Sequence, residues 1–244
     1  MDEGVVEKIR AAGGEVYAVT SEPQQLADQA HEHWELTFDN VGDPHQEISK
    51  TCSARGWLTL FANRGDHEFL QRGADWKVEH PKGFFQPGVL ALTNNRRVLY
   101  RWRSVPTAEN LNGTTMRPTA AHVWDQVGSA LQAGDDAGDA SHDDNPIIDG
   151  EPPPRLLFFA AIIANGWFLR ARAFAYSPGV GSVPSRFKAA FSRWFVFLFF
   201  WIIALATVPT GLVAMAFTAW LVWIGLDLKR VLQDMGDQVE LRSN

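Results

Sequence analysis

The chain has 244 residues, a formal net charge of −6 and a single cysteine, Cys52. One cysteine excludes an intramolecular disulfide and any cysteine-based zinc cluster, and with no basic block before residue 150 the electrostatic footprint of nucleic-acid binding is missing. A mean hydropathy of −0.14 marks a chain that is mostly water-compatible, so any membrane part is local.

From the N-terminus, Met1-Asp2-Glu3-Gly4 is acidic and lacks the apolar region of a signal peptide. Val5, Val6 and Ile9 then fall at helical spacing within residues 1–12, and Gly13-Gly14 stops that helix. Glu15–Thr20 is a compact β run, and Ser21-Glu22-Pro23 opens a helix with an N-cap and an early proline, running to about His33. Leu36–Phe38 reads as a short strand, and Asp43-Pro44 opens another helix through about Ala54. Trp57–Phe61 is apolar, and Asn63–Lys77 is polar loop. Val89–Thr93, the Asn94-Asn95 turn and Arg97–Trp102 form a β-hairpin, with Val98, Tyr100 and Trp102 on one face and Arg97, Leu99 and Arg101 on the other. Arg117-Pro118-Thr119 begins a helix with Val123, Trp124, Val127 and Leu131 in one stripe.

This order predicts an α/β domain over 1–132. Residues 133–154, rich in Gly, Ala, Asp, Ser and Pro, read as a solvated acidic linker that Pro152-Pro153-Pro154 ends stiffly. An α-helical membrane module is expected over 155–232, followed by a polar tail at 233–244. Leu156–Leu169 is apolar but too short to span, which suits an interfacial helix. Arg170, Arg172, Arg186, Lys188 and Arg193 follow with no acid between them.

No charged residue occurs from Trp194 to Leu226. A straight helix of that length would run about 50 Å, too long for a bilayer core without strong tilt. Thr207-Val208-Pro209-Thr210-Gly211 lies near its centre, so two arms of roughly 15 residues, about 23 Å each, would meet there. Both a tight hairpin with short arms and a single kinked span fit the pattern. Basic residues on both flanks, with Lys229 and Arg230 at the far end, favour the hairpin and place both ends on the cytoplasmic side.

The segments AAGGEVYAVTSEP (11–23), LTFDNVGDPHQEIS (36–49) and QPGVLALTNNRRVLYRWRSVP (86–106) occur in an order and spacing similar to the thioredoxin-fold, peroxiredoxin-like proteins of the alkyl hydroperoxide reductase and thiol-specific antioxidant (redoxin) family. WRSVP (102–106), Asn110–Gly113 and Arg117-Pro118 resemble its selenoprotein-L-like subgroup. The resemblance implies a thioredoxin-like fold, with Pro87 as the cis-proline beside the active site. It also implies a redox cysteine after a first strand, at a helix N-terminus that lowers its pKa. No position here matches that cysteine, because the first twelve residues resemble the latter part of that helix. The expected fold is therefore an incomplete thioredoxin-like domain, from a fragment or a degenerate homologue.

Among candidate site residues, Cys52 has Lys50 and Arg55 nearby, which would favour a thiolate, although it falls late in its helix, where packing is the alternative role. Arg101 and Arg103 end the hairpin strand, where they could contact an anion or serve as exposed edge charges. His31 and His33, two residues apart, do not share a helix face, and the acidic stretch 135–151 lacks the alternating ligands of a calcium loop, so no metal is expected. Thr207, Thr210 and Thr218 are too few polar groups for a transport path. The expectation is a membrane-anchored redoxin-like protein whose thiol-dependent antioxidant activity is lost or missing, with no cofactor. Its partners would be the lipid bilayer and a thiol reductant or protein. The alternative is a non-catalytic partner-binding module.

Overall fold

In the computed structural model, residues 4–65, 79–107, 109–113, 116–134, 136–150, 154–174 and 183–242 are described. The expected loop beyond Gly65, residue Asp135 and the Pro152-Pro153 stop lie outside them. Contacts divide the chain into unit 1 (residues 1–64, 78–152 and 237–244) and unit 2 (65–77 and 153–236).

Unit 1 begins with α1 (Val5–Ala11), whose Val5 and Val6 are buried. Strand β1 (Tyr17–Thr20), helix α2 (Gln24–His33) and strand β2 (Asp39–Gly42) form a parallel β-α-β unit in which Tyr17 pairs with Asp39 and Thr20 with Gly42. The apolar Leu36–Phe38, expected as the strand, stays outside it. Side chains set the register instead: Gln24 Nε2 donates to the Asn40 carbonyl at 2.9 Å, Gly42 N–H donates to Gln24 Oε1 at 2.8 Å, and Asn40 Nδ2 donates to the Ala27 carbonyl at 2.9 Å. Gly42 is required there, because a Cβ would stand 2.6 Å from both Gln24 N and the Glu22 carbonyl. Ser21 does not cap α2. Its buried hydroxyl accepts from the Phe85 N–H and bonds to His80 Nδ1 at 2.8 Å.

Asp43 starts α3 (Glu47–Ala54) from a buried position. Its carboxylate accepts from the N–H groups of Glu47, Ile48 and Ser49 at 2.6, 3.2 and 3.0 Å, and from the Ser49 hydroxyl at 3.1 Å. These are orphan donors that every helix start must satisfy.

Strands β3 (Phe61–Asn63) and β4 (Phe84–Phe85) pair antiparallel, while β5 (Gly88–Leu92) and β6 (Val98–Arg103) form the expected hairpin. Helix α4 (Ala120–Gln132), capped by the Thr119 hydroxyl, packs on β6 and α1. Leu99 is buried as well as Val98, Tyr100 and Trp102, and the register shift between Ala91 and Leu92 leaves it without a cross-strand partner, so the expected two-faced alternation of β6 is only partial.

The acidic stretch after α4 is not a solvated linker. Ala140 N–H donates to the Val98 carbonyl at 2.9 Å, and Asp139 Oδ1 accepts from the Val98 N–H at 2.8 Å. Asp143 N–H donates to the Arg101 carbonyl at 3.0 Å, and Thr119 N–H to the Ile147 carbonyl at 2.8 Å. Residues 139–148 thus strap the outer edge of β6 and the start of α4, giving donors and acceptors to an edge that would otherwise be open.

The polar tail is also structural. After unit 2 the chain re-enters unit 1 as β7 (Gln238–Glu240), antiparallel to β3, with Ala62 opposite Val239. Leu241 is buried with Ala62 and Phe85. The Arg103 guanidinium donates to Glu240 at 2.6 Å and to the Thr59 carbonyl at 2.8 Å, and it holds the Glu240 carboxyl below its usual pKa. The two side chains are 26% and 22% exposed, so Glu240→Ala is expected to cost only about 1 kcal/mol globally. It should nevertheless fray β7, seen as faster amide exchange at residues 238–241. Unchanged exchange there would show that pairing with β3 alone holds the strand.

Unit 2 contains α5 (Arg155–Asn165), α6 (Val183–Thr207) and α7 (Thr210–Gly236). Two segments, Lys188–Thr207 of 20 residues and Thr210–Gly236 of 27, are long and apolar enough to cross a membrane. The arms are therefore longer than the charge-free stretch alone implied. The helical backbone continues through Arg193 and Lys188 on one side and through Asp227, Lys229 and Arg230 on the other. Twenty residues rise about 30 Å, the thickness of a hydrocarbon core.

Candidate functional site

The hairpin of unit 2 follows from one break and one aromatic stripe. Pro209 has no N–H to donate, so α6 ends at Thr207 and α7 starts anew, with Leu212 and Val213 donating to the Pro209 carbonyl at 2.9 and 3.2 Å. Across the break the helices run antiparallel. The Phe197 and Trp220 rings lie 4.9 Å apart, and those of Trp201 and Phe217 5.0 Å apart. Both pairs are nearly symmetric in sequence about the break, the register of a tight hairpin rather than a kinked single helix. Each such pair contributes about 0.5–1.5 kcal/mol beyond its area. Thr207 and Thr218 return their hydroxyls to the carbonyls of Ile203 and Ala214 on their own helices, so neither offers a polar group to a transport path.

Residues 166–174 close one side of the hairpin. The Phe168 ring meets Trp194 at 5.0 Å and Phe197 at 5.5 Å. Trp220 Nε1 donates to the Phe168 carbonyl at 2.9 Å, and Trp223 Nε1 to the Ala171 carbonyl at 3.0 Å, so backbone acceptors in an apolar setting are satisfied by indoles. Asp227, buried at the end of the apolar run, accepts from Arg230 at 2.6 Å and from the Phe174 N–H at 3.3 Å. Away from this core the helices turn large apolar side chains outward, including Phe195, Phe199, Ile202, Met215 and Val222. In α5, Leu156 is 84% exposed. The side chain of Arg186, one of the basic residues singled out in the sequence, lies outside the described ones.

The residues proposed for chemistry in unit 1 do not assemble into a reactive site. Cys52 is half-buried in α3, and burial pushes its thiol pKa up, with Asp43 adding to the rise and Arg55 opposing it. The cation effect expected from the sequence is therefore outweighed, and the thiol form is favoured. No cis peptide bond occurs among the described residues, so the bond before Pro87 is trans, contrary to the expectation from resemblance. The chain runs directly from β4 into β5 there, with Gln86 N–H donating to the Phe61 carbonyl and Ser104 N–H to that of Pro87, both at 2.8 Å.

Arg101 and Arg103 both reach backbone carbonyls. Arg101 Nη1 donates to the Gly56 carbonyl at 2.7 Å, while Arg103 serves Thr59 and Glu240. Among the described residues, no group of three or more metal-ligating side chains converges.

A polar cluster that composition concealed sits on the strap. Asp143 Oδ2 accepts from Tyr100 Oη at 3.0 Å and bonds to His122 Nε2 at 2.7 Å. Burial alone would raise the Asp143 carboxyl pKa, but hydrogen bonds from His122, Tyr100 and the Asn145 N–H outweigh it and bring the pKa below its ordinary value. Burial and then Asp143 push the Tyr100 phenol well up. These shifts describe a locked structural carboxylate and a phenol that stays protonated.

Compared with known proteins, the chain matches no family model, no curated protein and no solved structure.

Proposed function

We propose that this is a membrane-tethered, non-catalytic binding protein, an α/β domain held at a bilayer surface by a helical hairpin. The observation that carries this reading is the antiparallel pair of apolar helices whose outer faces display large hydrophobic side chains. Water would leave that surface unpaid, whereas lipid matches it. Chain connectivity supports the same reading, because the chain leaves unit 1 at residue 152 and rejoins it at 237, as an even number of crossings requires. Basic residues precede α6 and follow the apolar part of α7, which favours a cytoplasmic domain.

For unit 1, a degenerate relative of the redoxins is the ancestry that fits the resembling segments. Its incomplete thioredoxin-like character is supported by the sheets: among the described residues β1 pairs only with β2, and β5 only with β6. Such a domain would bind a protein partner near the membrane rather than reduce peroxide, since Cys52 is held as a thiol. A peroxide-consumption assay with a dithiol reductant tests this on the full chain. No turnover is expected from the native protein or from Cys52→Ser. Turnover that Cys52→Ser abolishes would restore the second reading, a thiol-dependent antioxidant oxidoreductase.

A further inference from the structure

We propose that the open edge of β1 takes up an extended, basic segment of a partner protein as an added strand; this rests on unit 1 being a binding module. Along a strand, alternate residues turn their backbone groups to opposite sides. The Thr20 carbonyl accepts from the Asp43 N–H at 2.7 Å, so Ala18 and Thr20 face β2, while Tyr17 and Val19 turn their N–H and C=O groups outward. Among the described residues, those outward groups meet no partner. Neighbouring edges are closed instead: on β2, Gln24 serves both Asn40 and Gly42, and on β6 the strap serves Val98 and Arg101. The start of β5 is tied to the end of β1, Phe85 N–H donating to the Ser21 hydroxyl at 3.2 Å, and Gly88 and Leu90 of β5 turn outward in the same way. A bare row of backbone donors and acceptors is matched by another extended backbone.

Side chains and charge define the partner's chemistry. Asn40 and Gly42 meet α2, so that helix covers the face of Ala18 and Thr20. Tyr17 and Val19 lie on the opposite face, 60% and 44% exposed, although parallel strands are normally covered on both faces. Apolar residues alternating along an added strand would cover them. The field is set by the whole unit, which carries 23 acidic against 12 basic residues, a formal charge of −11. Beside the strand the balance is acidic too, since Arg10 stands among Glu7, Glu15 and Asp39 and is paired with Glu15 at 3.0 Å. A second copy of the chain fits worse, because it would bring two such acidic units together.

Amide exchange on the full chain in nanodiscs tests the site, with the end-capped peptide KVTVTVK as probe. Saturating peptide is expected to slow exchange at Tyr17 and Val19 about tenfold or more, whereas Ala18 and Thr20 are already protected by β2. The peptide EVTVTVE should give no such protection, and neither should KVTVTVK with every inner amide N-methylated. Val19→Pro removes an outward N–H and no bond to β2, so it should abolish the peptide's effect at Tyr17 while Ala18 and Thr20 stay protected. If that variant loses β1 itself, the methylated peptide decides alone. No added protection from KVTVTVK, or equal protection from either control peptide, would overturn the proposal. Protection that rises with chain concentration before peptide is added would put a second copy on the edge and overturn it as well. The peroxide assay separates the two failures. A chain with neither peptide protection nor turnover loses only this site, whereas Cys52-dependent turnover removes the binding-module reading too.

Discussion

Phe199→Asp combined with Ile202→Asp is expected to abolish membrane insertion of the full chain. Both side chains point away from the hairpin core, at 54% and 63% exposure, and neither belongs to the cluster that joins α6 to α7, although Phe199 stacks on Phe195 of its own helix at 6.3 Å. In water, surface substitutions of this kind usually change stability by no more than about 0.5 kcal/mol, and they remove apolar surface. In a bilayer, each aspartate near the centre of a spanning helix costs roughly 2.5–3.5 kcal/mol on the insertion scale. Two of them cost about 5–7 kcal/mol, enough to reverse the partition of a marginal hairpin. Flotation with vesicles after alkaline extraction reads the outcome. A double variant that stays soluble, beside a native chain that floats, is the expected result. A native chain that is already soluble, with the variant merely less prone to aggregate, would mean that the exposed apolar faces meet another protein surface.

Asp43→Ala is expected to have the largest effect in unit 1. The substitution removes a buried carboxylate that accepts from three backbone N–H groups at the start of α3 and from the Ser49 hydroxyl. Losing such a cap and stranding its donors costs about 2–4 kcal/mol. Unfolding of a two-unit protein is not expected to be two-state, so amide exchange resolved over residues 47–54 is the suitable measurement. Protection there should fall by about 1.5 to 3 orders of magnitude in Asp43→Ala. Asp43→Asn keeps one acceptor oxygen and should retain part of it. Native-like protection in Asp43→Ala would show that α3 is held by its packing alone.

Where signals are local, much of this fold was legible in the sequence. Asp43-Pro44, Asn94-Asn95 and Thr119 mark helix starts and a turn through chemistry within a few residues, and all three appear close to where they were expected. Long-range partners were harder to read. Asp139 and Asp143 looked like solvated linker charges, because composition cannot distinguish a carboxylate in water from one that accepts from Val98 N–H or Tyr100. The alternation Gln238-Val239-Glu240-Leu241 is itself a strand signal, but its brevity and distance from β3 concealed the pairing. β2 begins directly after apolar Leu36–Phe38, because a polar strand whose register is fixed by Gln24 and Asn40 carries no hydropathy signal. The hairpin arms are longer than the charge-free stretch, because the helices continue through the first charges on either side.

The candidate site was less legible than the fold. Residue type and resemblance single out Cys52, Pro87, Arg101 and Arg103, yet their surroundings depend on burial and on carbonyls distant in sequence. Phe168 and the loop up to Phe174 carried no motif at all. They became visible only once the tryptophans of α6 and α7 came together around them.

The central claim is a hairpin that crosses the bilayer and returns, and single-cysteine labelling tests it most directly. In a Cys52→Ser background, the variants Ala133→Cys, Val208→Cys and Arg242→Cys would be placed in sealed vesicles with the domain outward and treated with a membrane-impermeant maleimide. Ala133→Cys and Arg242→Cys should label at once, and Val208→Cys, at the break between α6 and α7, only after the vesicles are permeabilised. Immediate labelling of Val208→Cys, or labelling of Arg242→Cys only after permeabilisation, would contradict the hairpin.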